Sequence, residues 1–315
     1  MIVDGHSHIG WDSHHGNSDI DNYIKFAQDS GIDAAILMLV LAPCHVKGDP
    51  STVACRWTYE NGRAEYYGNK NPFRRLNYEL YETILRKTSD SLRLSFAPYF
   101  HPRMDEPEAF DQLLCETSPI AIKIHAFGCG IGPEHIDPEF VEIIHKHDLP
   151  VIVHTSFERI NQNPKMHEIR NLNNPIYWAD FFERDRIRGV LNHGATLDLK
   201  TFKKVNSSDY LMVALGPDRI TCSNDNRLRI PCCGDWRKYL TLLRDHLDTS
   251  KIIYDADFNW NVFVGEPMDT SSVDRVREIF TAPSDQAAIL GENLLRFMPR
   301  ARTVFVGKER DKMPR

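Results

Sequence analysis

Two histidines one residue apart, in Asp4-Gly5-His6-Ser7-His8, close the first apolar run of the chain. The two-residue period of a strand sends both imidazoles to the same side, where they can share one ion. Three further runs end in a side chain that can bind metal or carry a proton: Val151-Ile152-Val153-His154, Leu191-Asn192-His193 and Ile253-Tyr254-Asp255-Ala256-Asp257. A histidine pair at a strand end is by itself a weak signal, as often structural or solvated as functional. Four strand ends of this kind make a pattern. Imidazole nitrogens with a carboxylate suit Zn²⁺, and also Mn²⁺, Fe²⁺ or Co²⁺, with a position left open for water. An ion held there brings the pKa of that water to about 7 and makes a nucleophile at neutral pH.

Such residues act together only if their strands converge. Short β-branched runs alternate with longer stretches of helical periodicity along the 315 residues, which is the rhythm of βα units. Strands are expected at 2–8, 34–40, 92–99, 120–125, 151–154, 189–193, 211–215 and 251–257, and eight is the number that closes a barrel. Helices are expected at 20–30, 74–87, 107–115, 138–147, 178–184, 199–205 and 236–247, then at 272–280 and 283–297. No repeat or Pro/Gly linker divides the chain, so the reading is one domain over 1–315, an α/β fold of the (β/α)8 TIM barrel type. Long connections follow strands two and seven, at 43–71 and 216–235. Both leave the carboxyl ends of strands, the face on which barrel enzymes build their sites, and are expected to be lids or substrate walls.

Composition narrows the partners. With 42% hydrophobic and 26% charged residues the chain can bury a large core, which excludes disordered and fibrous classes. The net charge of −6 offers no basic patch, so neither nucleic acid nor a membrane surface is expected, and the partner is a small-molecule substrate. The longest apolar stretch, 34–42, ends at Pro43, far short of the roughly 20 residues that cross a bilayer. No leader pattern opens the sequence, and seven cysteines without a CxxC pair fit a reducing, cytoplasmic setting. Self-association into a homo-oligomer is left open.

Several segments carry a family resemblance: Asp4-Gly5-His6-Ser7-His8, Ile122-Lys123-Ile124-His125, Leu149-Pro150-Val151-Ile152-Val153-His154-Thr155, Asn192-His193-Gly194-Ala195, the strand ending at Asp257, and Ala288-Ile289-Leu290-Gly291-Glu292-Asn293-Leu294-Leu295-Arg296-Phe297. Over nearly its whole length the chain resembles the amidohydrolase superfamily, in particular its amidohydrolase-2 branch, related to aminocarboxymuconate-semialdehyde decarboxylase. The resemblance implies that His6, His8, His154 and Asp257 hold one divalent metal, usually zinc, with His193 left for proton transfer. In the superfamily's hydrolases the aspartate of strand eight also takes a proton from the metal-activated water; in its decarboxylases the histidine of strand six is the acid/base. The sequence keeps both. It departs from the pattern at Asp255-Ala256-Asp257, where a small pair usually precedes the aspartate; Asp255 is a rival for Asp257, which holds the family position.

Lys123 and His125 share a parity on strand four and are expected to face inward as substrate-binding residues. Lys123 is either a carboxylated bridge between two metals or a buried ammonium paired with Asp4 or Asp255; His125, nearer the mouth, contacts substrate or supports a ligand. Arg56, Arg63, Arg74 and Arg75 after strand two are of a type that grips carboxylates, but solvated surface charge is the stronger reading for any one of them and none is assigned to the site; Trp57, Tyr59, Tyr66 and Tyr67 could close a pocket, although packing explains them equally well. Cys129 lies in a glycine-rich turn; Cys222, Cys232 and Cys233 read as free thiols; His14, His15, His145 and His147 read as surface or capping residues. The expected reaction is hydrolysis of a C–N or C–O bond (amide, lactone or ester) of a small carboxylated substrate. The alternatives are nonoxidative decarboxylation of a carboxylated aromatic or muconate-like acid, and a catalytically idle ligand-binding barrel.

Overall fold

Main-chain hydrogen bonds close the strands of this chain into a ring. The computed structural model describes residues 1–12, 16–39, 55–60, 63–155, 172–216, 235–258 and 270–307. In chain order its strands are β1 (Val3–Asp12), β2 (Gly16–Ser18), β3 (Ala34–Leu39), β4 (Cys55–Glu60), β5 (Arg63–Gly68), β6 (Arg93–Phe96), β7 (Ile122–Ile124), β8 (Val151–Val153), β9 (Gly189–Leu191), β10 (Leu211–Ala214) and β11 (Ile252–Ile253). One sheet runs β2-β1-β3-β6 and another β11-β10-β9-β8-β7. The two join at both seams. At the first, the Phe100 N–H donates to the Lys123 carbonyl at 3.0 Å and the Lys123 N–H to the Pro98 carbonyl at 2.9 Å. At the second, the Gly5 N–H donates to the Tyr254 carbonyl at 3.0 Å and the Asp257 N–H to the His6 carbonyl at 2.9 Å. Eight parallel strands, β1, β3 and β6 to β11, thus form the expected barrel. Glycine suits the second seam, since a Cβ on Gly5 would lie 3.0 Å from side-chain atoms of Ile253 and Leu294, which would have to give way by a few tenths of an ångström.

The crossover helices pack apolar stripes against this wall. They are α1 (Ile20–Asp29), α2 (Arg74–Lys87), α3 (Pro107–Thr117), the short α4 (Ala126–Cys129), α5 (Pro138–His147), α6 (Pro175–Arg184), α7 (Leu199–Ser207) and α8 (Trp236–His246). Asp19 caps α1 by accepting from the Asp21 N–H, and Ile20, Tyr23, Phe26 and Ala27 form its buried stripe. β3 is buried along its whole length, as a parallel strand covered on both faces must be. Among the described residues no helix is long and apolar enough to cross a membrane.

Several elements differ from the sequence reading. β1 runs on past His8 to Asp12 and turns back through β2, pairing Gly10 with Ser18. The connection after the second barrel strand contains an antiparallel hairpin of β4 and β5. α6 begins at Pro175, ahead of the expected 178, because the Asn174 side chain accepts from the Ile176 N–H and proline fits the first helical turn. The helix expected at 283–297 passes through a π-turn at Ala288–Glu292, and Pro299–Val306 adds a helix the sequence had not suggested. Of the connection at 216–235, only Gly216 and Asp235 lie within the described residues.

Between β6 and α3 a tight loop is held by Asp105, whose carboxylate accepts the His101 N–H at 2.9 Å while its own N–H donates to the His101 carbonyl at 2.8 Å. Burial pushes the Asp105 carboxyl up from 3.8 to about 7, against the opposing pull of the His101 N–H and the Arg74 guanidinium. A carboxyl raised in this way stabilises the fold below its unfolded value and loses that contribution as pH rises through about 7. Asp105→Asn keeps the acceptor and removes the charge. Since Asp105 is only partly buried, the variant is expected to gain about 1–2 kcal/mol over the parent near pH 8 and to match it near pH 4. Urea denaturation of both proteins at the two pH values checks this; an equal difference at both would contradict it.

Candidate functional site

The site is built where β1 meets the backbone that follows β11. His6 Nδ1 and His8 Nε2 each lie 3.5 Å from Asp257 Oδ1, and the donor atoms of the three residues all fall within 4.8 Å of one another. Their rings are edge-on, 4.5 Å between centroids. His8 Nδ1 lies 2.7 Å from the Leu39 carbonyl, which can only accept, so Nδ1 carries the proton and Nε2 presents its lone pair toward Asp257. His6 is held from the other side, where Lys123 Nζ lies 2.9 Å from its Nε2. Its Nδ1, fully buried and without a hydrogen-bond partner, faces Asp255 Oδ2 and Asp257 Oδ1 at 3.5 Å each.

The two carboxylates of strand eight have different surroundings. Asp257 reaches three imidazoles, the third being His193, whose Nδ1 is 3.8 Å from Oδ2. Among the described imidazoles Asp255 reaches only His6, and it anchors its Oδ1 on the Gly216 N–H, leaving Oδ2 without a hydrogen-bond partner among the described residues. Gly216 makes that approach at φ +64, where a Cβ would meet the His193 Cα at 2.9 Å.

His154 and His193 form the opposite wall. His193 Nε2 and His154 Nδ1 are 2.9 Å apart, one of them carrying the shared proton, and His193 Nδ1 is buried without a hydrogen-bond partner. His154 stacks on His125 with centroids 4.0 Å apart. His154 therefore lies beside the tight group of His6, His8 and Asp257 rather than inside it. His125 is half-buried at the mouth, and its Nδ1 accepts the Gly128 N–H at 3.0 Å. His193 opens a buried turn in which φ is positive at five consecutive residues, 56, 58, 43, 55 and 56 from His193 to Leu197. A left-handed conformation costs a non-glycine residue roughly 1–2 kcal/mol, so the surrounding packing enforces this turn.

Burial dominates the electrostatics. It holds the imidazoles of His6, His154 and His193 well below their ordinary 6.5 and His8 at about 3, with the Lys123 ammonium adding to the effect. Burial lowers Lys123 itself from 10.5 to about 7, opposed by Asp257 and Asp255. Burial also raises Asp257 to about 7 and Asp255 well above 3.8. The charge of Lys123 faces Asp255 and Asp257 and not Asp4. The Asp4 carboxylate is taken by the Ser7 hydroxyl at 2.5 Å, the Tyr23 hydroxyl at 2.8 Å, the Ala256 N–H at 2.9 Å and the His6 N–H at 3.1 Å. Unpartnered inward atoms on His6, His193 and Asp255, beside an imidazole whose lone pair points inward, fit a divalent ion.

Other expected residues fall elsewhere. Arg74 and Arg75 open α2 on its outer face, bonded to Gln112 and Glu79. Tyr66 reaches the Gly130 carbonyl at 2.8 Å, while Tyr67 is exposed. Cys129 is fully buried in α4. The side chains of Arg56, Arg63, Trp57 and Tyr59, and Cys222, Cys232, Cys233, His14 and His15, lie outside the described residues. The sequence reading missed His101: it is fully buried, its Nδ1 accepts the Arg103 N–H at 3.3 Å, and its Nε2 has no hydrogen-bond partner. The signal was a histidine just beyond the third barrel strand, two residues past the end assigned to that run.

No family model matches the chain, and no curated protein matches it in sequence. Solved structures do. A probable 2-pyrone-4,6-dicarboxylic acid hydrolase from Acinetobacter baumannii is 11% identical over 95% of this chain and 99% of its own, with a TM-score of 0.59. The 4-oxalomesaconate hydratase of Rhodopseudomonas palustris is 15% identical over 98% of both chains, at 0.57. Dihydroorotase of Campylobacter jejuni is 11% identical over 94% of this chain and 82% of its own, at 0.54. At 11–15% identity the likeness to these three enzymes is one of fold, and it runs over nearly the whole chain.

Asp4→Ala would leave two hydroxyls and two N–H groups facing an empty acceptor position. The expected loss of stability is about 3–5 kcal/mol in urea unfolding, the cost of breaking a buried, hydrogen-bonded charge. A loss under about 1 kcal/mol would show that the pin is dispensable.

Proposed function

We propose that this protein is a metal-dependent hydrolase of the amidohydrolase type, cleaving an amide, lactone or ester bond of a small carboxylated substrate. One observation carries the reading: His6 Nδ1, His8 Nε2 and an oxygen of Asp257 converge within 4.8 Å at the carboxyl end of the barrel. We assign one divalent ion to His6, His8, His154 and Asp257, zinc first and manganese, iron or cobalt as alternatives. Bound there, such an ion polarises water and supplies a nucleophile at neutral pH.

The chain's own groups then have separate tasks. Asp257 takes a proton from the attacking water on Oδ2, the oxygen that faces His193. His193, 3.8 Å from Asp257 on one nitrogen and 2.9 Å from His154 on the other, delivers a proton to the leaving group. His125, half-buried beside His154, orients the substrate at the mouth, and Lys123 assists from below by fixing His6. A carboxylated substrate is supported by the structural relative described as a dicarboxylic acid hydrolase, whose structure holds citric acid.

Elemental analysis of the purified protein is expected to find about one ion per chain in the barrel, and screening of lactones, esters and cyclic amides bearing carboxylates to find turnover that chelation abolishes. His193→Asn is expected to lower kcat by ~10²–10⁴ with metal content unchanged. Release of CO₂ in place of an acid or amine would replace hydrolysis by decarboxylation. No bound metal, and none taken up on reconstitution, would leave an idle barrel.

A further inference from the structure

A second group of metal-binding side chains lies at the other end of the barrel. Asp111 and Cys115 stand four residues apart on α3, one turn along the same face, and His147 is the last residue of α5. His147 Nε2 is 2.7 Å from Asp111 Oδ1 and 4.0 Å from Cys115 Sγ, and one donor atom from each residue lies within 4.8 Å of the others. His147 is more than nine-tenths buried and Cys115 is exposed, so the group has a fixed floor and an open entrance. Lys146 is the competing cation, at 2.9 and 2.7 Å from the two Asp111 oxygens.

We propose that Asp111, Cys115 and His147 form a second, structural site for a zinc-type divalent cation. An ion bonded at roughly 2.0–2.3 Å to oxygen, nitrogen and sulfur spaces its ligands about 3.3–3.7 Å apart, so the present 2.7 and 4.0 Å need to change by only about half an ångström. On binding, the proton between His147 Nε2 and Asp111 moves to His147 Nδ1, leaving Nε2 free to ligate, and the Cys115 thiol proton is released to solvent. The carboxylate and thiolate then balance the two positive charges. α3 and α5 both run out here, Cys115 in the last turn of one and His147 at the end of the other, and helix carboxyl termini favour cations. Both helices lead into the amino ends of β7 and β8, whereas His125 and His154 leave their carboxyl ends. The ion would clip two crossover helices together on the face opposite the catalytic group.

Cobalt titration of the full-length protein tests this independently of the catalytic reading. A thiolate ligand gives a near-ultraviolet sulfur-to-cobalt charge-transfer band that the imidazole and carboxylate ligands of the barrel site cannot give. The band is expected at saturation, with about one ion per chain belonging to it. Cys115→Ala should lose the band and that ion while keeping the barrel metal and any hydrolytic activity. Lys146→Met should strengthen uptake by freeing Asp111, an effect opposite to that of removing a ligand. Absence of the band, its persistence in Cys115→Ala, or weaker uptake in Lys146→Met would overturn the assignment.

Discussion

The site depends on one buried carboxylate. Asp4 ties β1 to α1 through the Tyr23 hydroxyl and to the backbone that follows β11 through the Ala256 N–H. It also takes the N–H of His6, a catalytic candidate, and the hydroxyl of Ser7, which in turn accepts the Phe258 N–H at 3.1 Å. Burial raises the Asp4 carboxyl, and the four donors draw it back down. A charge in that position is tolerable only while every donor is present, so it enforces a single register between the first and last strands. That register sets His6 and His8 against Asp257.

A second constraint follows from the first. Once the strands are fixed, three buried imidazoles and the partly buried His8, two carboxylates and one ammonium crowd into a volume with little exposure to water. Lys123 is the sole lysine or arginine among the buried polar residues described, and it cannot serve all the groups around it. Its hydrogen bond goes to His6, while its charge opposes Asp255 and Asp257 at longer range. A divalent ion on the far side of His6 would supply the positive charge the carboxylates lack without asking the imidazoles to protonate. The neutral histidines are suited to that role, since ligation needs their lone pairs.

Much of this was legible in the residues because it obeys short periods. Strand parity placed His6 beside His8, and the apolar runs located all eight barrel strands. Helices with strong stripes and clear ends, Arg74–Lys87 and Pro138–His147, have the extents expected of them. What the sequence hid was set by distant contacts. The hairpin of β4 and β5 interrupts a stretch whose composition reads as a connection. The trio of Asp111, Cys115 and His147 joins two helices through a packing angle that no local pattern encodes, which is why His147 read as an ordinary surface histidine. His101 was missed for a simpler reason: it lies beyond the end of the third strand run, where strand parity does not reach.

Positive φ values separate the two ends of the molecule. Ser118 and Asp148, at φ 45 and 50, directly follow α3 and α5 and have a local explanation, since a left-handed residue is a usual way to end a helix. At the carboxyl end the same backbone region appears at Asp257, at φ 44, and through the turn from His193 to Leu197, where no α-helix ends. These residues are strained for the sake of direction: Asp257 donates its N–H to the His6 carbonyl while its carboxylate faces three imidazoles, and His193 leaves β9 aimed at both His154 and Asp257. Relaxing either backbone would turn a catalytic candidate out of the cluster. The strain is therefore an independent mark of the site, found where the titratable groups gather and explained by nothing in the local sequence.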